Sequence, residues 1–279
     1  MAGSLEASLP ERAHPRGRSG ALVRAEVIKL ASLSSARRVL VGAALAGIAV
    51  SAGLCASHRG GGGVFDPTVL SLLGLLVAQV TVGAVGAVAF SGDDEQGTLA
   101  LSLAASGGRR IAVFCAKAAA VATLALAIGE LAAFSAFAIG QRTLPASLRA
   151  SLGEPGVLRA VVFGGASVAL VALIGLGLAS ALRHGAAAIA CLAALLFAAP
   201  ALMAALPLAI ENVLDRFVVA NLFAVLVNVG HGRLVSFALS GTGVPRATLF
   251  DAPEALGVLA GYAAVTLLVG AARFWREGA

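Results

Sequence analysis

Charge is the scarcest property of this chain. Only 12% of its 279 residues are Asp, Glu, Lys or Arg, where a soluble domain carries about 25%. With 59% hydrophobic residues and a mean hydropathy of +0.96, too little polar sequence is left to clothe a separate soluble domain. Cysteine is scarce as well. Cys55, Cys115 and Cys191 stand far apart in or beside apolar runs, without the CxxC spacing of a zinc site or a disulfide framework, and read as buried small hydrophobes. Catalytic motifs are missing too: no HExxH, no GxSxG, no phosphate-binding Walker loop and no paired carboxylates within an apolar run. The four glycines at 60–63 are not followed by Gly-Lys-Ser/Thr, and His14, His58, His184 and His231 are scattered between the apolar runs. The expectation is a chain that is not an enzyme and binds no metal or cofactor.

What the chain has in abundance is long apolar runs, several exceeding the roughly 18 residues that cross a hydrocarbon core of about 30 Å. Six spans are predicted, at about 39–56, 68–90, 117–139, 157–182, 186–210 and 255–272. They form an all-α, polytopic membrane protein with one transmembrane domain over 21–279. Pro200 and Pro207 are expected to kink the fifth span. Residues 1–20, rich in Ala, Ser, Pro, Gly and Arg, read as a disordered tail. The first apolar run starts only near Val39, after many charges, so no signal peptide is expected. Residues 217–229 (FVVANLFAVLVNV) are apolar but about half a span long, which suggests a re-entrant or interfacial segment before span six.

Residues 21–38 differ from the tail. Val23, Val27 and Leu30 fall on one helical face, with Arg24 and Lys29 off it, and Arg37 and Arg38 precede the first span. That pattern predicts an interfacial helix with its basic residues near lipid phosphates, or else a plain extension of the first span. The formal charge is +6, carried almost wholly by arginine between spans, which points to membrane orientation and away from nucleic acid. With six spans, 13 Lys and Arg fall on the side of the amino terminus and 7 on the other. The positive-inside rule then places both termini and the second interspan loop in the cytoplasm.

That loop, 91–117, is the most informative stretch. Asp93, Asp94 and Glu95 open it, Arg109, Arg110 and Lys117 close it, and 98–105 reads as a short helix carrying Leu99, Leu101 and Leu103. A short helix on a polar loop between two spans suits docking onto a soluble partner. The one ionisable residue deep in a span is Glu130. It is a substrate contact, a proton site, or a packing contact to a polar group such as Gln79 or Thr81. Gly257 with Gly261, and more loosely Gly42 with Ala46, have the spacing of close helix packing or dimerisation.

At 93–117 the sequence resembles the membrane permease subunits of type-2 ATP-binding-cassette exporters. Their loop between spans two and three reads acid, Gly-Thr-Leu, Leu, Pro, an Arg cluster and a Lys. Gly97, Thr98, Leu99, Leu103, Arg109, Arg110 and Lys117 match; Asp93 stands where Glu is usual, with Glu95 nearby, and Ser106 stands where Pro is usual. Glu26, Lys29 and Leu30 are similar to the Glu-x-x-Lys-Leu of actinobacterial members. The resemblance implies a multi-pass protein of a bacterial plasma membrane that pairs with a second permease subunit. It implies a separate ATPase subunit, which would hold the ATP and Mg and seat on a coupling helix at 99–106, and a cargo moved outward, small or amphipathic. The rival expectations are a proton-coupled carrier using Glu130 and a non-transporting immunity or scaffold subunit.

Overall fold

The computed structural model describes residues 15–32, 34–57, 66–95, 97–203, 205, 214–229 and 250–276. Every regular element among these residues is helical. In chain order they are α1 (Pro15–Ser32), α2 (Ser34–Ser57), α3 (Pro67–Leu72), α4 (Leu75–Glu95), α5 (Thr98–Ala105), α6 (Arg110–Thr143), α7 (Val157–Leu182), α8 (Gly185–Ala193), α9 (Ala199–Met203), α10 (Val219–Val227) and α11 (Ala252–Arg276). Among the described residues six helical stretches are long and apolar enough to cross a membrane: Ser34–Ser57, Pro67–Glu95, Arg110–Thr143, Val157–Leu182, Gly185–Leu202 and Ala252–Arg276. By length and composition the chain is a polytopic, all-helical membrane protein.

Local chemistry explains where the helices start and break. Asp66 caps α3, its carboxylate accepting from the Thr68 N–H at 2.7 Å, with Pro67 at the first helical position, where no N–H is missed. The second span is interrupted between α3 and α4 at Leu73–Gly74, and the Gly74 N–H donates to Ser51 Oγ on α2 at 3.0 Å. α7 ends on Arg183, held at φ 57° in the left-handed region, its N–H returning to the Ala179 carbonyl at 2.8 Å. In the fifth span a π-helical turn, Ala194–Ala198, separates α8 from α9. Pro200 lies two residues on, within α9, and brings no N–H to bond back. Pro207 lies outside the described residues.

Three boundaries differ from the sequence expectation. Helix α1 begins at Pro15, inside the segment assigned to a disordered tail; residues 1–14 lie outside the described part. Helix α4 runs on to Glu95 and α6 begins at Arg110, so most of the charged residues of the 91–117 loop sit on helix ends, and Lys117 lies one helical turn and more inside α6. The fifth span is described as far as Met203, and 206–210 of the predicted run lie outside the described residues.

α7 is the axis of the bundle, packed by α4, α6 and α11 on different faces. Between apolar helices in lipid, association depends on how closely backbones approach. A Cβ on Gly86 would collide with the Ala172 backbone and one on Gly175 with the Gly83 carbonyl, so α4 and α7 touch main chain to main chain. The glycines singled out by spacing are elsewhere: Gly42, Gly257 and Gly261 have nothing of the described chain within 4 Å of a Cβ position. They face away from the bundle. Cys55 is buried, but Cys115 and Cys191 are exposed, against the expectation of three buried thiols. Like Leu45, Leu131, Val265 and Leu268, they are exposed on the outside of the bundle.

The half-span segment folds as α10, with Val219, Leu222, Phe223, Leu226 and Val227 all buried against α7 and α11. It is held at its end by Arg159, which donates to the Asn228 carbonyl at 2.8 Å, and by Asp66, which accepts from the Val229 N–H at 3.2 Å.

Candidate functional site

The amino-terminal helix, the end of α4, the start of α5 and the first turns of α6 meet at one end of the bundle, and four ionised side chains and a threonine join there. Lys117 on α6 is 1% exposed. A lysine so placed must find anions, because an unpaired buried ammonium loses its hydration with nothing in return. It finds two: Glu26 Oε2 on α1 at 3.0 Å, and Asp93 Oδ2 on α4. Asp93 is shared. Its Oδ1 accepts from Lys29 Nζ at 2.5 Å and from the Thr98 hydroxyl at 2.9 Å. Lys29 also donates to Thr98 Oγ1 at 3.3 Å. Two carboxylates and two ammonium groups balance within this cluster, and Lys29 and Lys117 are the only lysines of the chain. A lysine presents a compact charge with three rotatable donors, which suits one ammonium reaching carboxylates on two different helices.

The cluster determines how α5 sits. Gly97, at φ 69° and without a capping side chain, turns the chain out of α4, and the Thr98–Asp93 bond ties the first residue of α5 to the end of α4. Leu99 and Leu103, four residues apart on one face, are turned inward: Leu99 is 6% exposed and Leu103 packs on the same core. Leu101 lies on the opposite face and is 71% exposed, with Ala100 and Ala104 beside it. After α5 the chain reverses through Gly107 and Gly108, both at positive φ, and their N–H groups bond to the Ala104 and Leu103 carbonyls at 3.1 and 2.8 Å. Only glycine takes this conformation at no steric cost. Ser106 at the usual proline position supplies a backbone N–H to the Ser102 carbonyl at 3.1 Å, a bond that proline could not make.

The arginines that close the stretch fasten the surrounding helices. Arg109 Nε donates to the Ser106 carbonyl at 3.1 Å. Arg110 lies over the Phe274 ring, 5.6 Å from its centroid, and donates to the Phe274 carbonyl at 3.2 Å. Phe274 packs edge-on to Phe90 at 5.8 Å. Arg183, in the turn after α7, pairs with Asp94 at 3.4 Å and lies over Phe90. α1, the 93–117 stretch, the Arg183 turn and the end of α11 therefore share one end of the bundle, as the six-span count requires. Glu95 and Gly97 are exposed at that end.

Sequence reasoning had Glu26, Lys29, Asp93, Thr98 and Lys117 as parts of two separate motifs; the fold brings all five together. Leu30 packs against the core. Lys29, expected near lipid phosphates, gives two of its three donors to Asp93 and Thr98. Of the three leucines, Leu101 forms the outer face of α5; residues two apart on a helix point about 200° from one another, so it cannot share the face of Leu99 and Leu103.

Glu130 stands far from this cluster, 13 residues along α6 from Lys117, a rise of about 20 Å. Its carboxylate lies against Gly165 of α7, where a Cβ would be 2.7 Å from the Glu130 carboxyl carbon. Neither partner expected for it takes that role. Gln79 is fully buried and donates to Ser167 Oγ at 2.8 Å, and the Thr81 hydroxyl donates to the Val77 carbonyl of its own helix at 2.9 Å. Among the described residues Glu130 Oε2 is buried with no hydrogen-bond partner, as is Gln79 Oε1.

The chain matches no protein-family model and no curated protein. The fold defines a class only: a polytopic all-helical membrane protein with a buried ion cluster at one end of its bundle.

Proposed function

We propose that this chain is the permease subunit of an ATP-driven exporter, and that α5 is the element through which a separate ATPase subunit acts on it. The observation that carries the reading is the ion cluster Glu26–Lys117–Asp93–Lys29. It binds the amino-terminal helix, span two, the short helix and span three into one unit, and leaves Leu101 projecting from it. A knob on a short helix clamped to three other helices can transmit a push from a soluble partner into the spans. A flexible loop would absorb it. On this reading that end of the bundle faces the cytoplasm, in keeping with its share of Lys and Arg, and the protein sits in a bacterial plasma membrane. A second permease subunit, identical or different, completes the path, and ATP and Mg belong to the partner.

The experiment is purification in mild detergent with mass spectrometry of co-eluting proteins. A stoichiometric ATPase that is retained by wild type and lost with Leu101→Asp supports the reading. A folded, membrane-inserted protein that brings down no ATPase overturns it.

A further inference from the structure

We infer that the Glu130 carboxylate, set against Gly165 between α6 and α7, is the anionic centre of a binding site for a lipophilic organic cation. This deepens the transport reading by giving the class of its cargo, and rests on it.

The inference starts from an imbalance. Lys117, the ionisable side chain nearest to it in the interior of α6, has its charge met twice over by Glu26 and Asp93. Glu130 has no such arrangement: one carboxylate oxygen is buried and receives no donor from the described residues. A carboxylate in an apolar span is costly and marks function. Across the helix contact it meets Gly165, which has no side chain to pair with it. A methyl on that glycine would lie 2.7–2.8 Å from the carboxyl atoms, which sit at the far end of a flexible side chain and can swing aside. The fold places the carboxylate in the helix contact and gives its Oε2 no donor among the described residues.

Glu130 is partly exposed, and its neighbours on α6 reach the outer surface of the bundle. Leu131 and Phe134, one and four residues beyond Glu130 on α6, are 63% and 37% exposed, and Ala127, one turn before it, is exposed as well. On α7, Val162 is exposed one turn before Gly165. Residues three and four apart on a helix are surface neighbours, so the carboxylate is bordered by apolar groups and the Phe134 ring. An ammonium or phosphonium centre would complete the Glu130 charge and lie beside that ring, while apolar substituents cover Leu131 and Val162. A neutral or anionic amphiphile would leave the carboxylate unpaired or repel it.

The test is equilibrium binding of radiolabelled tetraphenylphosphonium to the full chain in phosphatidylcholine nanodiscs. Saturable binding near one per chain is expected for wild type, weakened at least tenfold in Glu130→Gln and retained within a few-fold in Glu130→Asp. Gly165→Ala, which crowds the carboxylate, is expected to weaken binding as well. Absence of saturable binding to folded wild type, or equal binding to Glu130→Gln, overturns the inference. No ATPase is present in this assay, so its failure leaves the docking reading standing, and failure of co-purification leaves the binding result standing.

Discussion

Lys117 and Glu26 are 91 residues apart in sequence and 3.0 Å apart in space. One lies in a span and the other on the helix that precedes all spans, so this contact joins the amino terminus to the bundle. Glu26 lies at the centre of the face that α1 turns inward, and is itself buried. What docks α1 is an ion pair as much as an apolar stripe.

Removing one member of a buried pair strands the other, and the loss exceeds the net worth of the pair. Lys117→Met strands two carboxylates, and a destabilisation of about 3–5 kcal/mol is expected. Thermal unfolding in detergent measures it. The double variant Lys117→Met with Glu26→Gln is expected to recover part of the loss. An unchanged unfolding temperature for Lys117→Met would mean that the cluster does not hold the helices together.

Lys29 shares Asp93 from a position 31% exposed, where water competes for its charge. Lys29→Ala is expected to cost about 1 kcal/mol or less, clearly below Lys117→Met. Its larger effect is on α5: with Thr98→Val it releases the start of that helix. Faster amide exchange across 98–105 than in wild type is the expected outcome.

The two leucine faces of α5 separate folding from docking. Leu101→Asp changes an exposed side chain, and stability is expected to stay within about 0.5 kcal/mol of wild type while ATPase co-purification is lost. Leu99→Asp buries a carboxylate and is expected to destabilise the protein before docking can be scored. If Leu101→Asp keeps the ATPase at wild-type yield, α5 is not the docking element.

Glycines near α7 and glycines on the outer face give opposite expectations. Gly175→Ala drives a methyl into the Gly83 carbonyl, and overpacking of this kind costs about 1–3 kcal/mol. Gly261→Ala meets nothing within 4 Å and gains helix propensity of about 1 kcal/mol, so the monomer is expected to be no less stable. Unfolding temperatures of the two variants, with size by light scattering, check both expectations. A Gly261→Ala protein that loses dimer while keeping its fold would place the outer face of α11 in an interface.

The sequence by itself determined the helical class and the six apolar spans seen among the described residues. Crossing a hydrocarbon core demands about 20 apolar residues in a structure that bonds its own backbone, and both requirements are local, so hydropathy along the chain displays them. It also determined which residues carry charge near the short helix, and the glycines at 97, 107 and 108 that bend the chain around it. Tertiary structure alone decided how those charges pair. Asp93 takes Lys117 from 24 residues away and Lys29 from 64, and no pattern along one helix encodes which distant ion will sit opposite. It also decided that Gln79 satisfies Ser167 instead of Glu130, because α7 turns different residues toward α4 and α6. The same rotation gave Glu130 a glycine for a neighbour. Whether a buried charge is met depends on what the facing helix presents at that level, and only the packed bundle sets that.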